Sequence, residues 1–328
     1  MIYPESLKVK DKIGVSAPSA GLAYKPEVIK QAMDSLKECG YSLKLTKNVY
    51  STLLISSSVK QRVQQLNELV LDPKVKTIMI ACGGDFLMEM LPKVDWEAIQ
   101  EHPKWIMGMS DPSTLLFILP TKYDIATLYG ANFSSFARLK LGRPQKDALR
   151  LLSGQMITQK SYRYYQPDIN ADHYDQKFDT PVSWETPNGA VETKGRMIGG
   201  CIDALRDIVG TPLDGVPEFI ERYKEDGIIW FFDDYALSSE DFYHTLFQMK
   251  LCGWFKYTVG VILGRVLFPK TTTPGNYKVA LRKIFGNKMP LIMEADIGHT
   301  DPAMSMIVGG YAKIKAGNGT GSITFVKR

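Results

Sequence analysis

Residues 105–119 read Trp-Ile-Met-Gly-Met-Ser-Asp-Pro-Ser-Thr-Leu-Leu-Phe-Ile-Leu. Trp105, Ile106 and Met107 form an apolar run that predicts the end of a buried strand. Gly108 permits close backbone approach, and Pro112 with Ser113 and Thr114 opens an apolar helical stretch. Ser110 therefore falls at a strand-to-helix turn. Such a turn pushes a hydroxyl out of a sheet and leaves the N–H groups of the helix start beside it, where they can hold a developing oxyanion. A Ser and an Asp ahead of a Pro-led helix also suit an N-cap, so the stretch alone leaves capping and nucleophilic catalysis both open.

Working outward, the first half alternates strand and helix. Lys12-Ile-Gly-Val-Ser-Ala-Pro is a short apolar run. Residues 25–39 carry Val28, Ile29, Met33 and Leu36 at helical spacing and stop at Gly40. Residues 41–45 alternate as a strand does, and residues 59–71 place Val63, Leu66 and Leu69 on one helical face. Lys76-Thr-Ile-Met-Ile-Ala-Cys predicts a buried strand closed by Gly83-Gly84, and residues 86–91 turn helical before the Ser110 strand. This order predicts an α/β fold with a doubly wound parallel sheet whose loops gather at the carboxyl ends of the strands. Ser16-Ala-Pro-Ser-Ala-Gly follows a strand, but it has one glycine where a dinucleotide fingerprint needs three. It also lacks the Gly-Lys-Ser/Thr of a phosphate loop, so both nucleotide motifs are excluded. Gly83-Gly84-Asp85 suits either an oxyanion site or a plain tight turn. Cys82, at a strand end in an apolar run, reads as inert core and not as a nucleophile.

A chain of 328 residues exceeds the usual reach of one hydrophobic core, so two domains are expected. The composition shifts from about Met156, which divides the chain into an N-terminal α/β domain over residues 1–155 and a C-terminal domain over 156–328, of which 156–190 is a connector with long loops. A hydrophobic fraction of 45% against 23% charged residues fits soluble enzymes and argues against extensive disorder. The net charge of +5 comes from scattered Lys and Arg, so no nucleic-acid-binding stripe is indicated. No apolar run is long enough for a bilayer, and residues 1–8 lack the pattern of a secretory signal, which together predict a cytoplasmic protein away from membranes. Cys39, Cys82, Cys201 and Cys252 form no CxxC pair and read as buried free thiols, not as disulfides or a metal site.

In the second half, Tyr162, Tyr164, Tyr165, Tyr174 and Trp184 are spread among polar residues and Pro, either lining a binding cleft or pinning loops. Residues 195–212 read as strand, glycine turn and helix, ended by Gly210 and Pro212. Ile228-Ile-Trp-Phe-Phe runs straight into Asp233-Asp234, which puts two carboxylates at the mouth of a hydrophobic strand; a turn or capping role for one of them is also open. Of the four histidines, His102 sits in a charged loop, His173 in the connector and His244 on a helix. His299, after Gly298 in the loop beyond another strand, is the best placed general base. Ser110, an acid at a strand end and a loop histidine supply nucleophile, orienter and base in the chain order Ser, Asp, His.

The order of these segments resembles the LD-carboxypeptidase family of serine peptidases over nearly the whole chain. Residues 7–18 resemble its opening strand and Ala-Pro-Ser turn, residues 62–82 its second helix and strand, and Gly83-Gly84 its glycine turn. Gly108-Met-Ser-Asp-Pro-Ser-Thr-Leu resembles its nucleophile segment, and Tyr129-Gly130 the strand end that follows. Gly199-Gly200 with Gly210-Thr-Pro resembles its inter-domain strand and helix, and Gly298-His299 its histidine loop.

The resemblance implies that Ser110 is the nucleophile, His299 its base, and the N–H groups of Gly84 and Asp111 the oxyanion donors. It puts the serine in the N-terminal α/β domain and the acid and histidine in a C-terminal domain that it implies is smaller and mostly β, with helices. Asp233 stands where the family has glutamate, which draws the carboxylate back by about 1.5 Å where catalytic geometry tolerates only about 0.5 Å. Leu237 replaces a second acidic position, and Gly199-Gly-Cys201 replaces Gly-Gly-Asn. No metal or cofactor is required.

The implied reaction is release of terminal D-alanine from a cytoplasmic murein tetrapeptide, in murein recycling. The alternatives are immunity-type cleavage of a peptidyl-nucleotide, with connector aromatics stacking a base, and a non-catalytic binding protein on the same scaffold. Arg138, Lys140, Arg143, Arg196 and Arg265 are candidates to hold an anionic leaving group, or are ordinary surface charges. The resemblance also implies a homodimer, although the sequence carries no heptad seam.

Overall fold

A computed structural model describes residues 1–167, 177–270 and 276–328. His173 and Tyr174 lie outside the described residues. The chain divides into two compact units, Met1–Gln155 and Met156–Arg328, so the C-terminal unit, expected to be the smaller, is the longer of the two.

In the first unit the order is β1 (Lys12–Ser16), α1 (Pro26–Glu38), β2 (Ser42–Leu45), α2 (Val59–Leu71), β3 (Val75–Ile80), α3 (Trp96–Glu101), β4 (Trp105–Gly108), α4 (Ser113–Tyr123), β5 (Thr127–Tyr129) and α5 (Arg143–Leu152). The five strands run parallel in the order β5-β4-β3-β1-β2. Local chemistry sets the helix ends. Pro26 opens α1, which buries Ile29, Ala32 and Leu36. Ser58 caps α2 in a capping box: its hydroxyl accepts from the Gln61 N–H at 3.4 Å, and the Gln61 side chain accepts from the Ser58 N–H at 3.2 Å.

The middle strands are mainly apolar because helices cover both faces of a parallel sheet, and Ile78, Met79, Ile80, Ile106 and Met107 are fully buried. Residues 113–121 of α4 are buried on every side, so this helix shows no amphipathic stripe. Residues 86–91, expected as helix, form part of a 3₁₀ segment, Leu87–Lys93, with Pro92 inside it; a proline without an N–H, crowding the preceding turn, does not favour an α-helix there.

The second unit contains β6 (Thr158–Lys160), β7 (Tyr164–Tyr165), β8 (Thr180–Pro181), β9 (Val191–Cys201), α6 (Ile202–Leu205), α7 (Val216–Arg222), β10 (Ile228–Asp233), α8 (Ser239–Leu251), β11 (Thr258–Gly264), α9 (Asn276–Phe285), β12 (Leu291–Ala295), β13 (Met306–Val308), β14 (Tyr311–Gly317) and β15 (Thr320–Val326). Its main sheet has the order β12-β11-β10-β9-β14-β15-β6. The first four strands are parallel, and the pairings from β9 through β14 and β15 to β6 are antiparallel. Strand β10 lies between β9 and β11 and is buried along its whole length, with Trp230 stacked on Trp254 at 5.5 Å between centroids. That burial delivers Asp233 and Asp234 to the carboxyl end of an apolar strand.

Several expectations are corrected here. Gly199 and Gly200 form no turn: β9 runs through them to Cys201, and Gly199 is required because a Cβ there would collide with the Phe231 carbonyl on β10. The cysteines are free, but Cys252 is exposed and Cys39 and Cys82 only partly buried. Arg196 and Arg265 are not surface charges. Both are 4% exposed, held 2.7 Å from Asp226 and Asp296 respectively. The connector aromatics divide: Trp184 is buried and donates to Asp296 at 2.9 Å, whereas Tyr164 is 37% exposed. Among the described residues no helix is long and apolar enough to cross a membrane.

Candidate active site

In the first unit, Ser110 follows β4 by two residues and has φ +71°, a left-handed conformation that a non-glycine residue adopts only at a cost of order 1 kcal/mol or more. The strand-to-helix turn imposes it. The Ser113 N–H donates to the Ser110 carbonyl at 2.8 Å, and Pro112 occupies the N-cap position of α4 without a side-chain cap bond. The Ser110 hydroxyl is thus not the N-cap of this helix.

Gly83 lies against the serine: a Cβ there would sit 2.9 Å from Ser110 Cβ and 3.0 Å from Oγ, so a side chain would crowd the hydroxyl. The N–H groups of Gly84 and Asp111 donate to no other group among the described residues. The Asp111 carboxylate is buried and turned away, accepting from the Ser19 hydroxyl and from the Leu87 N–H at 2.9 Å. Burial pushes its pKa up, against the pull of those hydrogen bonds.

Sequence reasoning missed the braces around this turn. Arg62, fully buried, donates to the carbonyls of Pro18 at 3.0 Å and Phe86 at 2.7 Å and pairs with Glu89 at 2.7 Å. It thereby ties the Ala-Pro-Ser turn to the segment beyond Gly84. Asn132 accepts from the Met109 N–H at 3.0 Å. The one signal for Arg62 was a charge on the apolar face of α2, directly after the Gln61 of the capping box. Cys82 is no nucleophile at neutral pH, because burial pushes its thiol up to about 12.

In the second unit, Asp233 ends β10 and His299 follows Gly298 in the loop after β12. His299 Nδ1 lies 2.8 Å from Asp233 Oδ2, with the histidine side chain 13% exposed and the carboxylate fully buried. The aspartate is one methylene shorter than the glutamate of the family resemblance, yet it reaches the imidazole because the loop comes in close. Gly298 has φ +101°, and a Cβ there would overlap Asp233 Oδ1. Neither Nε2 nor Nδ1 of His299 has a hydrogen-bond partner of full geometry among the described residues, so Asp233 meets Nδ1 as a close charged contact, and the Tyr235 ring lies 4.8 Å from the imidazole, centroid to centroid. Burial pulls the imidazole pKa down as the largest single influence. The charge and close contact of Asp233, with the charge of Asp203, outweigh it and leave the pKa raised.

Asp203 was not singled out from the sequence. Its carboxylate accepts from the N–H groups of Tyr235 at 2.9 Å and Ala236 at 3.0 Å, fixing the turn after Asp233-Asp234. Asp234, fully buried, has its pKa pushed up to about 8, first by burial and then by the charges of Asp203 and Asp233. One donor of the neighbouring Leu237 N–H, at 3.0 Å, opposes this only in part. The donor atoms of Cys201, Asp233 and His299 lie within 4.8 Å of one another, the single set of three or more potential metal ligands among the described residues. Cys201 resists ionisation, because burial and the charges of Asp233 and Asp203 hold its pKa well above normal.

The first unit thus gathers Ser110, Gly83, Gly84 and Asp111, and the second gathers Asp233 and His299. His102 caps the exposed end of α3 and His244 lies on α8, each away from these groups in its own unit. Of the other candidate cations, Arg138 donates to Ser135 at 3.4 Å, and Arg143 is 3.8 Å from Asp147 on its own helix.

The first unit thus carries a serine strained at the end of a parallel strand, and the second a buried carboxylate against a loop imidazole. Residues 13–130 match the LD-carboxypeptidase N-terminal domain and residues 194–314 the LD-carboxypeptidase C-terminal domain. The chain belongs to the LD-carboxypeptidase family, and with it to the serine-peptidase-like hydrolases. It is 28% identical over 340 residues to a putative carboxypeptidase of Vibrio cholerae, covering 98% of this chain and 97% of that protein. It is 29% identical over 283 residues to the microcin C7 self-immunity protein MccF of Escherichia coli, covering 82% and 79%. The crystal structure of an MccF-like protein from Bacillus anthracis superposes with a TM-score of 0.83 at 25% identity, covering 100% of both chains. The family and the α/β architecture expected from the sequence are borne out.

Proposed function

We propose that this chain is a serine peptidase hydrolysing an amide bond, with Ser110 as nucleophile, His299 as general base and Asp233 as the group that orients it. His299 Nε2 takes the hydroxyl proton as Ser110 attacks the carbonyl carbon. The N–H groups of Gly84 and Asp111 receive the tetrahedral oxyanion. Asp233 holds Nδ1 and stabilises the imidazolium, which then protonates the leaving amine, and water repeats the cycle on the acyl-enzyme. The observation that carries this reading is the left-handed backbone of Ser110, φ +71°, directly after a buried parallel strand. Strain of that kind persists where the surrounding structure imposes it, and it presents a nucleophile at a sheet edge.

The substrate class we favour is a muropeptide ending in D-alanine, cleaved in the cytoplasm by a homodimer. Relatives named murein peptide carboxypeptidase support it. Cleavage of a peptidyl-nucleotide is the second reading. It is supported by the higher identity to MccF, 29% against 22% for the murein tetrapeptide carboxypeptidase of Pseudomonas aeruginosa.

Treatment with a fluorophosphonate followed by mass spectrometry of the labelled peptide tests the mechanism. The expected result is a single adduct on Ser110, lost in His299→Ala; an unlabelled Ser110 in the folded protein overturns it. Incubation with a murein tetrapeptide and with a peptidyl-nucleotide then separates the substrate readings by which one loses its terminal group, and light scattering reads the oligomeric state.

A further inference from the structure

Three chemically different ligand atoms converge at the carboxyl end of the second unit's parallel strands. Cys201 ends β9 and Asp233 ends β10, and the parallel register pairs these two residues directly, so both side chains leave their strands at one level. His299 comes in on the loop after β12, where Gly298 allows a close approach to Asp233. The thiol sulfur, a carboxylate oxygen and an imidazole nitrogen lie within 4.8 Å of one another.

The carboxylate and the imidazole have roles in the mechanism above; the sulfur has none. Where the family resemblance has asparagine, a weak ligand for a transition metal, this chain has cysteine. A thiolate, an imidazole and a carboxylate together make a donor set that suits Zn²⁺ and not the hard cations Mg²⁺ or Ca²⁺. Tetrahedral zinc, with bonds of about 2.0–2.3 Å, spaces its ligand atoms about 3.4–3.6 Å apart. His299 Nδ1 and Asp233 Oδ2, at 2.8 Å, stand slightly inside that spacing, and the whole set closes onto one ion by movements of about 1 Å.

The surroundings favour a cation there. Neither ring nitrogen of His299 has a hydrogen-bond partner of full geometry among the described residues. Asp203 brings a second carboxylate to 3.6 Å from Cys201 Sγ and is itself fixed by the N–H groups of Tyr235 and Ala236. Outer carboxylates of this kind hold metal ligands in place. A divalent ion reverses the negative field around the sulfur, and a thiol that coordinates it gives up its proton.

We propose that Cys201, Asp233 and His299 form an inhibitory Zn²⁺ site, with water in the fourth position, that takes the imidazole away from Ser110. The inference rests on the peptidase reading above and adds a means of switching that site off. Coordination releases the Cys201 thiol proton; the metal takes the lone pair of Nδ1, and the imidazole proton moves to Nε2. An Nε2 that already carries a proton cannot accept one from the Ser110 hydroxyl.

Co²⁺ is the spectroscopic probe, because a thiolate bound to it gives an intense near-ultraviolet charge-transfer band. Metal-free protein is expected to bind about one Co²⁺ per chain with that band, to lose the band when Zn²⁺ displaces the cobalt, and to show none in Cys201→Asn. Cys201→Ser repeats the test should the asparagine variant melt early. No band, or a band kept without the Cys201 thiol, overturns the site. In a second arm, Zn²⁺ is expected to slow fluorophosphonate labelling of Ser110 about tenfold or more and EDTA to restore it, with the effect below about threefold in Cys201→Asn, each protein being compared with itself without metal. Labelling indifferent to Zn²⁺, or slowed equally in Cys201→Asn, overturns the inhibition. Ser110 unlabelled in the absence of metal sinks the peptidase reading and the inhibition with it, while the cobalt spectrum still decides the site.

Discussion

Replacing Asp233 with Asn keeps the shape of a fully buried side chain and removes the carboxylate facing His299 Nδ1 at 2.8 Å. Coulomb's law at an effective dielectric of about 20 gives an attraction of roughly 6 kcal/mol between opposite unit charges at that distance. In the proposed mechanism this attraction is felt by the imidazolium formed as Ser110 loses its proton. Its loss corresponds to about 10⁴-fold in rate. The same substitution moves a second quantity. The charge and close contact of Asp233 raise the His299 pKa, so in the variant the imidazole loses its proton at lower pH.

The rate of fluorophosphonate labelling at Ser110 rises with pH as neutral imidazole forms. The variant is expected to show a plateau lowered by about 10³–10⁴-fold together with a midpoint displaced toward acid. A packing defect would lower the plateau without moving the midpoint. A rate within about tenfold of the parent, or an unmoved midpoint, refutes the assignment of Asp233 as the partner of a catalytic imidazole.

Gly298→Ala places a methyl group on Asp233 Oδ1 at a backbone of φ +101°; labelling of Ser110 should fall by about 10²-fold or more for the implied displacement of His299, with little change in the far-ultraviolet circular dichroism. Asp234 has its pKa raised from 3.8 to about 8, so the folded chain holds a proton there that the unfolded chain has released. Stability is therefore lost as pH rises from about 4 to 8, at a slope of at most about 1.4 kcal/mol per unit. Thermal melts of Asp234→Asn should lose most of this slope, keeping the part due to His299, whose raised pKa also contributes stability that disappears as pH rises through it. Cys82→Ala should leave Ser110 labelling within about threefold of the parent, as expected of a thiol that stays protonated at neutral pH.

Local pattern carried much of the fold. The spacing of Val63, Leu66 and Leu69 placed a helix over 59–71, and the chain folds α2 over Val59–Leu71. The Ser110 turn was equally legible, because a strand, a glycine and a proline-led helix in succession leave the backbone few other paths. The 3₁₀ segment at Leu87–Lys93 and the continuous strand through Gly199 were not, since periodicity does not register a proline in a short helix or the approach of Phe231 from the neighbouring strand.

By itself the sequence determined the strand–turn–helix that strains Ser110, the apolar strand that ends in Asp233, and the glycine that precedes His299. These depend on residues adjacent in the chain. Tertiary structure alone decided that the shortened carboxylate still meets the imidazole, that Arg62 and Asp203 brace the turns, and that Arg265 is neutralised in the interior by Asp296. Each of these depends on a distance or a desolvated charge set by residues far apart in the chain, and spacing along a sequence carries no measure of either.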